Sequence, residues 1–170
     1  MNAILNKVYE AMDGAPQVEA YSQRHGIDSA AVLTVYDDER ANLVAEYLAE
    51  RVAGKTVVEI GGGIGLLAMH LGLIAKRVYC IEANPMWSWV FANVLLEKKP
   101  KNVSFLFGAA DEFYGDIRGD VALFCTHSDV AGLRAIGARF APEVIDLYGE
   151  LIATNPKAFD LTARTLREVV

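Results

Sequence analysis

Four glycines crowd behind an acid in the run VVEIGGGIGLLAMHLG, where Glu59 stands just ahead of Gly61, Gly62, Gly63 and Gly65. Glycine lets the backbone turn with positive φ and lets a ligand approach the main chain without meeting a Cβ. A turn of this kind between an apolar strand and a helix is a platform for a cofactor, although close helix-strand packing selects glycine as well. A second acid adds to the case. The run VYCIEANP ends a strand with Glu82, about twenty residues beyond the glycines, where a carboxylate accepts hydrogen bonds from both hydroxyls of a ribose. Spacing then separates the adenosine ligands. Dinucleotide sites favour GxGxxG, with the helix amino terminus facing a pyrophosphate. In this chain Leu66 falls where the third glycine would stand. Glu59 would repel a pyrophosphate but attract the ammonium of an amino-acid tail, directly or through water. The chemistry suits a zwitterionic methionine tail better than a diphosphate.

These motifs resemble those of class I S-adenosylmethionine-dependent methyltransferases. EIGGGIG looks like the family's first motif, an acid followed by GxGxG. IEANP looks like the second, and GAADEF, from Gly108 to Phe113, like the third. The resemblance covers roughly Asp38 to Tyr148, and VAGKTVVEIGGGIGLLAMHL is its most specific part. It implies a Rossmann-like fold with S-adenosyl-L-methionine as cofactor. It further implies that Glu59, Gly61, Gly62, Gly63 and Gly65 hold the methionine part, that Glu82 holds the ribose, and that Ala110 and Asp111 flank the adenine. Ala83, Asn84 and Met86 are placed to line the adenine face. In that reading Asp111 accepts from the adenine amino group beside the Ala110 main chain, ahead of its alternative as a loop acid capping the next turn, whereas Asn84 reads best as the cap of a helix opened by Pro85.

Methyl transfer asks little of a protein beyond aligning a nucleophile with the sulfonium methyl. Where a base is needed, the place is the end of the fourth strand of the methyltransferase unit, in GDVALFCTHSD. His127 is the histidine there, and a near-neutral pKa suits it to take a proton from a hydroxyl or amine. The alternative is a local hydrogen bond, with Ser128 or Asp129 capping the next helix. Departures from family patterns leave the acceptor open among small molecules, proteins and RNA. CTHS stands in place of the NPPY tetrapeptide of many amino-group enzymes, Cys125 lacks the proline neighbour of cytosine-C5 enzymes, and the paired glutamates of arginine methyltransferases are absent.

The elements that position these residues follow from periodicity. Residues 1–37 read as an N-terminal segment of short helices broken at Gly14, Pro16 and Gly26, and residues 38–170 as the cofactor-binding domain. Leu43, Val44, Tyr47, Leu48 and Val52 recur on one helical face, with Asp37 or Asp38 capping its start and Gly54 its end. Strands are expected at 56–60, 77–82, 103–107, 121–125 and 144–148, with helices at 66–75, 85–99 and 130–140. Buried strands alternating with helices make right-handed βαβ units, so the expected fold is an α/β doubly wound, mainly parallel sheet. The tail reads as a turn at Asn155-Pro156 and a helix in which Leu161, Thr165, Leu166 and Val169 share a face. The family's usual sixth and seventh strands are expected to be shortened or missing, and a homodimer covering that edge is the natural remedy.

Composition narrows the remaining classes. The chain of 170 residues fits one domain, is 53% hydrophobic and 22% charged, and so is not disordered. A net charge of −6 weighs against a general nucleic-acid binder. Cys80 and Cys125 lie in apolar runs as reduced thiols, and no cysteine-histidine spacing suggests a metal. With no signal-type or membrane-spanning run, a cytoplasmic setting is the default. The rivals to a methyltransferase are a non-catalytic S-adenosylmethionine-binding sensor or partner subunit, and a nicotinamide-dependent oxidoreductase or aminopropyl transferase on the same fold.

Overall fold

The structure is a computed structural model that describes residues 32–84, 98–125 and 130–154, together with positions 16, 20, 23, 24, 87, 91, 92, 96, 164 and 165. Strand β1 (Val32–Leu33) leads into helix α1 (Asp38–Val52), followed by β2 (Thr56–Ile60), α2 (Leu66–Leu71) and β3 (Arg77–Glu82). Then come β4 (Val103–Phe107), a 3-10 turn (Ala110–Phe113), β5 (Val121–Phe124), α3 (Val130–Phe140), β6 (Glu143–Asp146), α4 (Leu147–Thr154) and β7 (Arg164–Thr165). Five strands form one sheet in the order β4-β3-β2-β5-β6, with every neighbouring pair parallel. The chain moves outward from β2 to β3 and β4, then returns to the other side of β2 for β5 and β6. The order therefore reverses between β2 and β5, and in such sheets the crevice at the strands' carboxyl ends at that reversal is where ligands bind.

Alternating side chains bury both faces. Val57, Val78, Val121, Leu123 and Ile145 point into one core with α1, α2, α4, Trp87 and Phe91. Val58, Ile60, Ile81, Ala122 and Phe124 point into the other, with Leu133, Ile136 and Phe140 of α3. This double covering explains the near-continuous apolar strands and bears out the doubly wound expectation.

Several boundaries depart from the expected ones. Helix α1 is capped by Asp37, whose carboxylate accepts from the Arg40 N–H at 2.8 Å, and Gly54 follows its end with φ of 68°. Its buried stripe, however, is Ala41, Val44, Ala45, Leu48 and Val52, while Leu43 and Tyr47 stand 41% and 36% exposed. Small residues let α1 lie close against α2, so close packing rather than side-chain size sets the inward face. Helix α2 stops at Leu71 because the chain turns at Gly72, where the Asn102 side-chain amide donates to the carbonyls of Gly72 and Ala75. The last strand of the sheet ends at Asp146, two residues short of Tyr148. The Asp146 carboxylate accepts from the Gly149 N–H at 3.0 Å and starts helix α4, which takes up Leu147 and Tyr148. Cys125 leaves the β5 ladder and bonds elsewhere, as described below. The N-terminal segment includes strand β1 as well as helical residues, and Arg164–Thr165 form a strand paired antiparallel with it rather than part of a helix. Among the described residues, no helix is long and apolar enough to cross a membrane.

Candidate functional site

The buried polar side chains of the described residues are Thr34, Glu59, Glu82, Asn84 and Asp146. Glu82 and Asp146 end their strands, Glu59 stands one residue before the end of β2, and Asn84 follows β3. Thr34 binds Cys125, the residue after β5. All five gather at the carboxyl end of the sheet. Burying polar groups costs free energy unless partners compensate, so their concentration at one end marks that end as the place where polar chemistry is held.

The glycine turn is shaped by two separate demands. Gly61, Gly63 and Gly65 have φ of 72°, 57° and 78°, a region that side-chain-bearing residues rarely occupy. Gly62 is required by space, since a Cβ there would lie 2.0 Å from the Cys80 sulfur. The Gly61 and Gly62 N–H groups donate to the Ile81 carbonyl at 2.9 and 3.1 Å, carrying the β2–β3 pairing into the turn. Glu82 completes the construction. Its carboxylate accepts from the Gly63 N–H at 2.7 Å and from the Asn84 N–H at 2.6 Å, while its carbonyl accepts from the Gly108 N–H at 3.1 Å. One acid thus ties the glycine turn, the end of β3 and the end of β4 into a single cradle.

Glu59 lies beside that cradle, 4% exposed, and its Oε2 has no hydrogen-bond partner among the described residues. Burial pushes its pKa up to about 8, with a Cys80 thiol hydrogen bond opposing the shift and the Glu82 charge adding to it. Burial also raises Glu82 to about 7, held back by the N–H groups of Asn84, Gly63 and Ala83. An acid whose folded pKa lies above its unfolded one contributes stability that is full below the unfolded value and is lost as pH rises through the folded value. The ligand-free protein should therefore lose a few kcal/mol of stability between about pH 5 and 8. Thermal melts across that range should show a falling midpoint, and Glu59→Gln should flatten the fall; a midpoint that rises with pH would contradict these assignments.

Of the remaining expected site residues, Ala83 follows Glu82 directly and donates to its carboxylate. Ala110 and Asp111 sit on the 3-10 turn after β4, with Asp111 exposed and Ala110 packed against the second core. Asn84 is buried and its carbonyl accepts from the Trp87 N–H at 3.1 Å, a helix-starting contact. Trp87 belongs to the core. His70 pairs with Asp38 at 3.2 Å on the surface of α2, holding that carboxyl below its usual range. Met86, Thr126, His127, Ser128 and Asp129 lie outside the described residues.

Two site-end residues were not anticipated. Thr34 donates its hydroxyl to the Cys125 carbonyl at 3.0 Å and lies 3.3 Å from the Cys125 sulfur, pinning the segment before α1 across the end of β5. Burial pushes the Cys125 thiol up to about 12, so it is not a thiolate. Thr34→Val should remove this tie at a cost of about 1 kcal/mol and speed thiol labelling of Cys125, with Thr34→Ser restoring the slow rate. Labelling unchanged in the valine variant would show the tie to be incidental. Asp146 was read as mid-strand, yet an acid closing a buried strand is the same signal that singled out Glu82.

No family model matches the chain. Over 70 residues, 41% of the chain, it is 30% identical to the protein of Methanosphaera stadtmanae described as "Probable ribosomal RNA small subunit methyltransferase A". Among solved structures it is similar to precorrin-6y C5,15-methyltransferase of Geobacter metallireducens, with a TM-score of 0.53 and 15% identity over 64% of this chain and 66% of that one. It is also similar to M. jannaschii TYW2 in complex with AdoMet, with a TM-score of 0.52 and 19% identity over 59% of this chain and 48% of that one. The chain has the class I methyltransferase fold. It spans 26% of the length of the Methanosphaera relative. The strand order reverses between β2 and β5, and Glu59 with Gly61–Gly65 lies at the carboxyl end of β2, one of the two strands at that reversal.

Proposed function

We propose that this chain binds S-adenosyl-L-methionine in the cradle at the ends of β2 and β3 and transfers its methyl group to an acceptor. The observation that carries this reading is the hydrogen bond from the Gly63 N–H to Glu82, which joins the two sequence motifs into one pocket wall. The residues fit such a cofactor. Glu82 keeps lone pairs for two ribose hydroxyls beyond its backbone donors, and the unpartnered Oε2 of Glu59 suits the ammonium of the amino-acid tail. The glycines bring bare main chain to the methionine part. Ala83 lies beside the ribose position, and Ala110 with Asp111 borders the adenine.

When bound, S-adenosylmethionine supplies a methyl group on a sulfonium, already a strong electrophile. The protein's own contribution is to fix the ligand against the sheet end and exclude water with its apolar flanks. His127, just beyond β5, serves as general base toward an acceptor hydroxyl or amine. The pyrophosphate of a nicotinamide cofactor fits this turn poorly, because Leu66 stands where the third glycine of GxGxxG would fall and Glu59 would add negative charge beside it. The test is incubation with methyl-labelled S-adenosylmethionine and separate pools of RNA, protein and small metabolites. Label is expected in one pool, with His127→Ala slowing transfer at saturating cofactor. Label in none of them, despite cofactor binding, would favour a sensor over an enzyme.

A further inference from the structure

Glu59 brings to the cofactor site a buried carboxyl group for which the fold provides an incomplete set of partners. Its Oε2 is buried and has no partner among the described residues, and the carboxylate lies 3.5 Å from where a Cβ on Gly62 would stand, directly against the glycine turn. The titratable groups facing it come from the neighbouring strands. On β3 these are Cys80, which hydrogen-bonds to it, and Glu82; after β5 comes Cys125, which feels the charges of both Glu59 and Asp146. Among the described residues no cation is one of the groups that act on Glu59, and Arg134 reaches Asp146 instead, at 3.5 Å. Two acids on adjacent strands therefore share one low-dielectric corner with a thiol between them.

We propose that the ammonium of the cofactor's amino-acid tail completes the Glu59 site by driving a proton off its carboxyl, so that loading this site is coupled to proton release. This rests on the cofactor reading above and adds regulation to it. The balance is simple: the O–H bond of the Glu59 carboxyl breaks, its proton passes to bulk buffer, and the ammonium keeps its own protons and pairs with the carboxylate. An ion pair out of water is favourable only when both partners are charged and hydrogen-bonded, and the orphan oxygen provides the acceptor that the pair needs. With the ligand absent, burial favours the neutral acid. Binding of an ammonium-bearing ligand then strengthens as pH rises through the neutral range. The adenosine and ribose portions alone do not engage Glu59.

Calorimetric titration in two buffers of different ionisation enthalpy counts the protons released. The two probes are S-adenosylhomocysteine and 5′-methylthioadenosine, which share adenosine and thioether but differ in the amino-acid tail. At pH 7 S-adenosylhomocysteine should release about one proton more than methylthioadenosine. Between pH 6 and 7.5 its affinity relative to methylthioadenosine should rise by up to about tenfold per pH unit. Glu59→Gln should erase both differences, and the wild-type comparison decides the matter even if that variant does not fold. Equal proton release by the two probes would overturn the proposal while leaving the cofactor reading intact. Failure of both probes to bind would overturn the cofactor reading and this inference with it.

Discussion

Glu82→Ala should abolish cofactor binding and weaken the fold together. The substitution leaves the N–H groups of Gly63 and Asn84 without their acceptor in a buried corner, which costs about 2–4 kcal/mol. In the proposed cofactor site it also removes the acceptor for two ribose hydroxyls, so affinity for S-adenosylhomocysteine should fall at least about 100-fold, since a charge-assisted bond is worth roughly 1.5–3 kcal/mol. Glu82→Gln offers one acceptor oxygen and turns an NH2 toward an N–H donor, so it should fall between the two. Urea unfolding and calorimetry on the same preparations separate the effects. An alanine variant that keeps both stability and affinity would show that the acid neither holds the turn nor meets the ligand.

Gly65→Ala should be the most damaging change in the glycine run. Its backbone φ is 78°, and a Cβ there would stand 1.6 Å from the Phe91 ring, which is fully buried and stacks on Phe105 with centroids 4.2 Å apart. A left-handed alanine costs roughly 1–2 kcal/mol and overpacking a further 1–3, giving a loss of about 2–5 kcal/mol in urea unfolding. Gly62→Ala differs in mechanism, because its clash is with the Cys80 sulfur alone. A Cys80→Ala background should therefore rescue Gly62→Ala but leave Gly65→Ala unrelieved. Equal rescue of both would mean that the turn fails as a unit rather than through these contacts.

The parts of the fold readable from the chain were those fixed by local pattern. Strands β2, β3 and β4 and helix α3 occupy the expected spans, since doubly buried strands are short apolar runs bounded by turn residues. The inward face of α1 was read in part: Val44, Leu48 and Val52 are buried as expected, but Leu43 and Tyr47 were included for their apolar size, whereas contact with α2 selects Ala41 and Ala45. The end of β6 was missed because Val144 to Tyr148 is apolar enough to continue a strand, and only the Asp146 contact with Gly149 turns it into a helix. At the candidate site, both acids and all four glycines were singled out by type and spacing, and the structure places them together at the carboxyl ends of β2 and β3. Their connection was not legible, since nothing local says that Glu82 bonds the Gly63 N–H or that Cys80 lies beneath Gly62. Thr34 gave no signal at all, for its partner stands 91 residues away.

The fold also explains why the site tolerates two buried acids. Glu82 is held by backbone donors that the turn already has to satisfy, so its burial is partly offset by structure. Glu59 is not offset in the same way, and a buried oxygen without a partner is the kind of local cost that folds carry at binding sites.

Calorimetric titration of the intact chain with S-adenosylhomocysteine, set beside NAD under identical conditions, bears most directly on the cradle. Saturable one-to-one binding in the roughly micromolar range is expected for S-adenosylhomocysteine, with no heat from NAD and none from either ligand in Glu82→Ala. Tight uptake of NAD with S-adenosylhomocysteine silent would contradict the assignment of this pocket.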